Sequence, residues 1–125
     1  MAKILIIDDD PDIRTVLNIL LKKQGHVVDT ASREHEVQDK VSQFQPDIIL
    51  LDVLLSGSDG RAICQKIKTS KETNHITVIM FSGHPGAAGK IDAYGADDFI
   101  SKPVNTDALI SKIESHLNLS NKLNN

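Results

Sequence analysis

The strongest constraint in this chain is an alternation: apolar runs too short for helices recur between segments whose apolar residues repeat at helical spacing. Ile4-Leu5-Ile6-Ile7 and Ile48-Ile49-Leu50-Leu51 are apolar at every position, the mark of strands covered on both faces. Between them, Asp10 supplies an N-cap and Pro11 a first-turn residue, and Ile13, Val16, Leu17, Leu20 and Leu21 follow at helical period until Gly25. Residues 26–30 read as a weaker strand, and Ser32 as the cap of a helix with Val37, Val41 and Phe44 inward. A Ser- and Gly-rich turn, 56–60, leads to a helix carrying Ile63 and Ile67, and residues 76–81 read as a fourth strand. Residues 87–94 predict a short helix and 98–101 a fifth strand, after which Asn105 caps a last helix that buries Leu109, Ile113 and Leu117.

Five strand-helix units in series require parallel strands joined by crossovers, which gives an α/β fold of (βα)5 type, a three-layer sandwich around a five-stranded parallel sheet. The 125 residues suffice for one domain. It is expected over 1–120, with the Asn-rich end, 121–125, frayed. Fourteen Lys and Arg against seventeen Asp and Glu leave a net charge of -3, so phosphate backbones are not attracted and nucleic acid is not an expected partner. Apolar runs of four residues fall far short of the ~20 a membrane helix needs, so no membrane partner is expected. Acid at Asp8 cuts short any leader-like segment. The single Cys64 can make no internal disulfide, which suits a cytoplasmic setting.

In open parallel sheets the ligand sits beyond the carboxyl ends of the strands. The first strand runs into Asp8-Asp9-Asp10, the third into Asp52, the fourth into Ser82-Gly83, and the fifth into Lys102-Pro103. Asp10, before Pro11, reads as the helix cap alone. Two carboxylates ~4 Å apart repel by ~4 kcal/mol at an effective dielectric of ~20, so converging acids call for a cation or a raised pKa. All-oxygen ligands favour Mg2+, and Lys102 adds a second cationic centre. Acid, metal, hydroxyl, exposed backbone N–H and lysine together make a site suited to accepting a phosphoryl group.

With these residues in place, the chain resembles the receiver domain of bacterial response regulators, of the kind found in chemotaxis regulators, over roughly residues 3–118. Ile7-Asp8-Asp9-Asp10 with Ile13-Arg14 is similar to the family's acidic opening, and Leu50-Leu51-Asp52 with Asp59-Gly60 to its phosphoacceptor segment. The resemblance implies a flavodoxin-like sheet of order 2-1-3-4-5 and Asp52 as phosphoacceptor. It implies Mg2+ held by Asp8, Asp9, Asp52 and the Leu54 backbone carbonyl. Ser82 would meet the phosphoryl oxygens, Gly83 would be the small residue beside them, Lys102 would bind them too, and Phe99 would be the aromatic that switches with Ser82. It places Leu54 and His84 at the mouth where hydrolytic water enters, and so makes them residues that tune the phosphoryl lifetime. Implied partners are a histidine kinase or phosphotransfer protein as donor, a downstream protein target, and a second copy in a homodimer. With no output segment after the last helix, the signal is expected to pass by protein contact, from a phosphoacceptor signalling domain that promotes its own phosphorylation and dephosphorylation rather than from an enzyme.

Two features depart from the family pattern. Ser56 stands where Pro is usual, and the stretch between Ser82 and Gly95 is short and holds Pro85, Gly86 and Gly89. Residues 84–94 are therefore expected to be the least ordered part of the domain. Among other readings, a pseudo-receiver acting as a constitutive interaction module would lack one of the acids or the lysine, and all are present. An aspartate phosphatase needs a second acid where Leu54 stands, and a flavodoxin electron carrier needs a phosphate loop where Asp8-Asp9-Asp10 stands. Zinc has no support, since His26, His35, His75, His84 and His116 are isolated in sequence and read as surface residues.

Overall fold

A computed structural model describes residues 2–55, 57–83 and 94–124, with side chains through residue 118. Its elements in order are β1 (Lys3–Ile7), α1 (Pro11–Lys23), β2 (Val27–Ala31), α2 (Glu34–Phe44), β3 (Ile48–Asp52), β4 (Leu54–Leu55), β5 (Ser58–Asp59), α3 (Gly60–Thr69), β6 (Thr77–Ser82), β7 (Asp98–Ser101) and α4 (Thr106–Asn124). Five strands form one parallel sheet in the order β2-β1-β3-β6-β7, which is 2-1-3-4-5 when only that sheet's strands are counted. β4 and β5 make a separate small antiparallel ladder. The helix expected at 87–94 lies outside the described residues, except for Tyr94.

Alternation along the strands divides the core in two. Leu5, Ile7, Ile49, Leu51, Val78 and Met80 pack with Val37 and Val41 of α2 and with Ile63, Cys64 and Ile67 of α3. On the opposite face, Ile4, Ile6, Ile48, Leu50, Ile79 and Phe81 pack with Leu17 and Leu21 of α1 and Leu109 and Ile113 of α4. Coverage on both faces is why β1 and β3 are apolar at consecutive positions. Burying each such side chain contributes on the order of 2 kcal/mol.

Register decides what the fold offers at its rim. Ile7 lies opposite Leu51, Asp52 opposite Phe81, and Ser82 opposite Ser101, so the strand-end residues fall within about two positions of a common level. The edge strand β7 is also tied to α4. The Asp98 carboxylate accepts from Lys112 Nζ at 2.8 Å and lies 3.0 Å from His116 Nε2. Burial works to raise the Asp98 carboxyl, but hydrogen bonds from Lys112, His116 and the Phe99 N–H outweigh it and hold it below its ordinary range.

Several local expectations are corrected. Val16, counted in the helical repeat of α1, does not share its buried stripe: it is 56% exposed, because the repeat sets it ~100° round from Leu17, outside the stripe that Leu17 and Leu21 define. The α2 N-cap is Arg33 rather than Ser32. The Glu36 carboxylate reaches back to accept from the N–H groups of Ser32 and Arg33 and from the Ser32 hydroxyl, so Ser32 is a donor in the cap. His26 and His116 are engaged rather than free on the surface, His26 Nδ1 accepting from the Ala2 N–H at 3.2 Å. α4 runs from Thr106 to Asn124, and the sequence there has neither Pro nor Gly to stop it. Asp10 and Asn105 do cap their helices, accepting from Asp12 N at 2.9 Å and Ala108 N at 3.0 Å, and Gly25 closes α1 with φ +91°. No helix among the described residues is long and apolar enough to cross a membrane.

Cys64 illustrates how closed the α2–α3 side is. It is fully buried, its thiol lies 3.4 Å from the Tyr94 carbonyl oxygen, and burial pushes its pKa up to about 11. Iodoacetamide at pH 8 is accordingly expected to alkylate the denatured chain far faster than the native one, because the thiolate is the nucleophile. Equal rates in the two states, followed by mass spectrometry, would contradict this burial.

Candidate phosphoryl-acceptor site

The rim at the carboxyl ends of the strands gathers Asp8, Asp9, Asp52, Ser82 and Lys102. Asp8, one residue beyond β1, is fully buried. Its Oδ1 accepts from the Asp10 N–H at 2.9 Å, its N–H donates to Ala31 at 3.2 Å, and its carbonyl accepts from Arg14 Nη1 at 2.8 Å. Asp52, the last residue of β3, is 5% exposed, and its Oδ1 accepts from the Leu54 N–H at 3.3 Å. Lys102 spans the two, with Nζ 3.1 Å from Asp8 Oδ2 and 3.2 Å from Asp52 Oδ2. The same ammonium lies 5.2 Å from the centroid of the Phe81 ring, and the Lys102 N–H donates to the Ser82 carbonyl at 2.9 Å, binding the end of β7 to that of β6.

Charge is not balanced here. One carboxylate oxygen from each of Asp8, Asp9 and Asp52 lies within 4.8 Å of the other two, against the ammonium of Lys102. At that spacing an ionised pair repels by ~3 kcal/mol at an effective dielectric of ~20. Burial first, and the Asp8 charge second, raise the Asp52 carboxyl above its ordinary range, against the opposing pull of Lys102. Burial works to lower the Lys102 ammonium, but its hydrogen bonds and charge contacts with Asp8 and Asp52 outweigh that and raise it.

The donor set fits a hard divalent cation. All three ligands are carboxylates, and Asp9 is exposed with no hydrogen-bond partner among the described residues. Oxygens on opposite sides of one Mg2+ are ~4.2 Å apart at ~2.1 Å per bond. A spread of up to 4.8 Å therefore suits two direct ligands and a third acting through water.

The remaining expected residues surround this centre in different ways. Ser82 is 3% exposed at the end of β6. Gly83 is exposed, and among the described residues a Cβ there would meet nothing nearer than Lys102 Cβ at 3.9 Å. Phe99 is half-buried against the core of the α2–α3 face. Leu54, from which the lifetime-tuning role was expected, is 47% exposed beside Asp52. His84 and Ser56 lie outside the described residues.

Two contributors were not assigned roles from the sequence. A Cβ on Gly60 would collide with the Asp52 carbonyl oxygen, and the Gly60 N–H donates to the Val53 carbonyl at 2.7 Å. Glycine is therefore what lets α3 start directly beneath the end of β3. Arg14 reaches back from α1 to the Asp8 carbonyl. Gly60 had a signal in the pair Asp59-Gly60 after a strand-final acid, and Arg14 had one in the pair Ile13-Arg14 that follows the acidic opening, though neither pair said what its residue would touch.

The chain is similar to known proteins. The family model of the response regulator receiver domain matches residues 4–114. A curated relative, the DNA-binding dual master transcriptional regulator RpaA of Synechocystis sp., is 33% identical over 98% of this chain and 52% of its own length. The chain thus spans about half of that relative. Among solved structures, NtrX from Brucella abortus is 34% identical with a TM-score of 0.88, covering 98% of this chain and 29% of that one. The chemotaxis protein CheY4 of Vibrio cholerae is 25% identical with a TM-score of 0.84, covering 92% of this chain and 98% of that one.

The raised Asp52 carboxyl carries a pH dependence. Its protonated form favours the fold below the unfolded value of ~3.9, and that contribution is lost as pH rises through the higher folded-state value. In metal-free buffer Asp52→Asn is expected to melt above the native chain at pH 7 and to lose that advantage below pH ~4. A melting difference that does not vary with pH would contradict the assignment.

Proposed function

We propose that this chain, which belongs to the response regulator receiver domain family, accepts a phosphoryl group on Asp52. The observation that carries this reading is the sharing of one lysine between two buried carboxylates with a third alongside. An interaction module that is never phosphorylated would have no use for this buried charge.

In the transfer, an Asp52 carboxylate oxygen attacks phosphorus in line while the bond to the donor breaks, the P–N bond of a phospho-His or the P–O bond of a small phosphodonor. The released imidazole or acid anion departs on the side opposite Asp52, and the product is an acyl phosphate. Lys102, already at Asp52, moves its hydrogen bond onto an equatorial phosphoryl oxygen. The Ser82 hydroxyl and the Gly83 N–H donate to the others. Asp9 and Asp52 directly, Asp8 partly through water, and the Leu54 carbonyl would hold Mg2+, which when bound supplies positive charge against the oxygens of the transferring group.

The donor is a histidine kinase or a phosphotransfer protein, and the product signals to a downstream protein target by contact, with pairing into a homodimer as one form of output. Ser82 and Phe99 carry the switch, Ser82 drawn toward the new oxygens and the Phe99 ring turning inward behind it. This is cytoplasmic signalling chemistry on a domain that is its own substrate, not a turnover enzyme.

Intact mass after incubation with acetyl phosphate tests the reading. The native chain should gain one phosphoryl group only with Mg2+ present, and Asp52→Asn should gain none. Uptake without metal, or in Asp52→Asn, would refute it.

The exposed Leu54 side chain offers no polar atom to orient a hydrolytic water, and His84 is assigned the same mouth. Leu54→Asn is expected to speed loss of phosphate by more than about twofold, with ~1.4 kcal/mol corresponding to each decade, and His84→Ala to change it as well. Rates within twofold of the native chain in both variants would contradict this role.

A further inference from the structure

We infer that Arg14 is a positioning residue for the acidic half of the site, holding Asp8 and Asp9 in the geometry that binds the divalent cation. The inference rests on the metal reading given above. Asp8 lies just past the end of the β1 ladder, whose last register pairs are Ile7 with Ala31 and Ile7 with Leu51. It is fully buried, so each of its polar groups needs a partner from outside the regular sheet. Its N–H takes Ala31, its Oδ1 the Asp10 N–H, and its Oδ2 the Lys102 ammonium. The carbonyl remains, and Arg14 Nη1 meets it at 2.8 Å.

That contact closes a short loop. α1 begins at Pro11 behind the Asp10 cap, and the Arg14 N–H donates to the Asp10 carbonyl at 3.1 Å while the Arg14 side chain holds Asp8. Asp9, the exposed acid of the cluster, lies between Asp10, held by a backbone N–H that any helical residue at position 14 would supply, and Asp8, held by the Arg14 side chain itself. Arg14 does not act as a neutralising partner, because no carboxylate among the described residues lies within 4.0 Å of its guanidinium. Its planar fork instead supplies a directional donor to one carbonyl. Support of this kind behind metal ligands commonly governs affinity by 10- to 100-fold.

Two origins of an Arg14 effect predict opposite signs. If Arg14 only added positive charge near the cation, removing it would tighten Mg2+ binding. If it positions Asp8 and Asp9, removing it weakens binding. Isothermal titration of Mg2+ into the full chain at fixed ionic strength separates them, using Arg14→Met, which loses charge and donor, and Arg14→Lys, which keeps both without the fork. Arg14 is half-exposed on α1, so both variants keep a good helix former there, and melting without metal reports any loss of fold separately. We expect Arg14→Met to bind Mg2+ about 10-fold more weakly and Arg14→Lys to recover part of that loss. Affinity in Arg14→Met equal to or tighter than native, including an unchanged affinity with a lowered melting temperature, would overturn the inference, as would no recovery in Arg14→Lys. Absence of Mg2+ binding by the native chain would instead refute the metal reading itself.

Discussion

One ammonium shared between two buried carboxylates is the interaction on which this domain depends. Lys102 Nζ sits 3.1 Å from Asp8 and 3.2 Å from Asp52, joining the ends of β1, β3 and β7. Buried charges are costly unless paired, and here the pairing is incomplete because Asp9 adds a third acid. The sheet is what keeps the acids together. Its strands are locked by parallel registers and packed on both faces, so the carboxylates cannot move apart to relieve their repulsion. The excess negative charge is thereby held in place, and under the proposed function it is what a cation and, with it, a phosphoryl group would meet.

The remainder of the fold serves that rim. Gly60 lets α3 start against the Asp52 carbonyl. The Lys102 N–H bond to Ser82 holds β7 level with β6 where only one neighbouring strand is available. Asp98, bonded to Lys112 and His116, fastens the other end of the same edge strand to α4. Phe99 and Lys102 are therefore carried on a strand fixed at both ends.

Much of this was legible in the residues. Unbroken apolar runs identified β1 and β3, their acidic endings identified Asp8 and Asp52, and Pro11 and Asn105 marked two helix starts, because these signals are local and strong. Other features depend on tertiary placement. Nothing adjacent to Val16 says that the sheet lies under Leu17 instead, and Ser32 looks like a cap until Glu36 is seen to reach it. Arg14 lies six residues from the carbonyl it meets, a contact that exists only because α1 folds back over the end of β1. The small β4–β5 ladder, two residues on each side, is too short to have a periodic signature. His116 and Asp98 are 18 residues apart, and no motif links them.

The central claim is that the buried acid at the end of β3, and no other group on the rim, takes the phosphoryl group. Borohydride reduction after exposure to acetyl phosphate and Mg2+ tests it directly, since an aspartyl phosphate is reduced to homoserine while free carboxylates and phosphoserine are not. Peptide mass spectrometry should find homoserine at position 52 alone, and only when both donor and metal were present. Homoserine at position 8 or 9, phosphate on Ser82, or no converted residue would contradict the account.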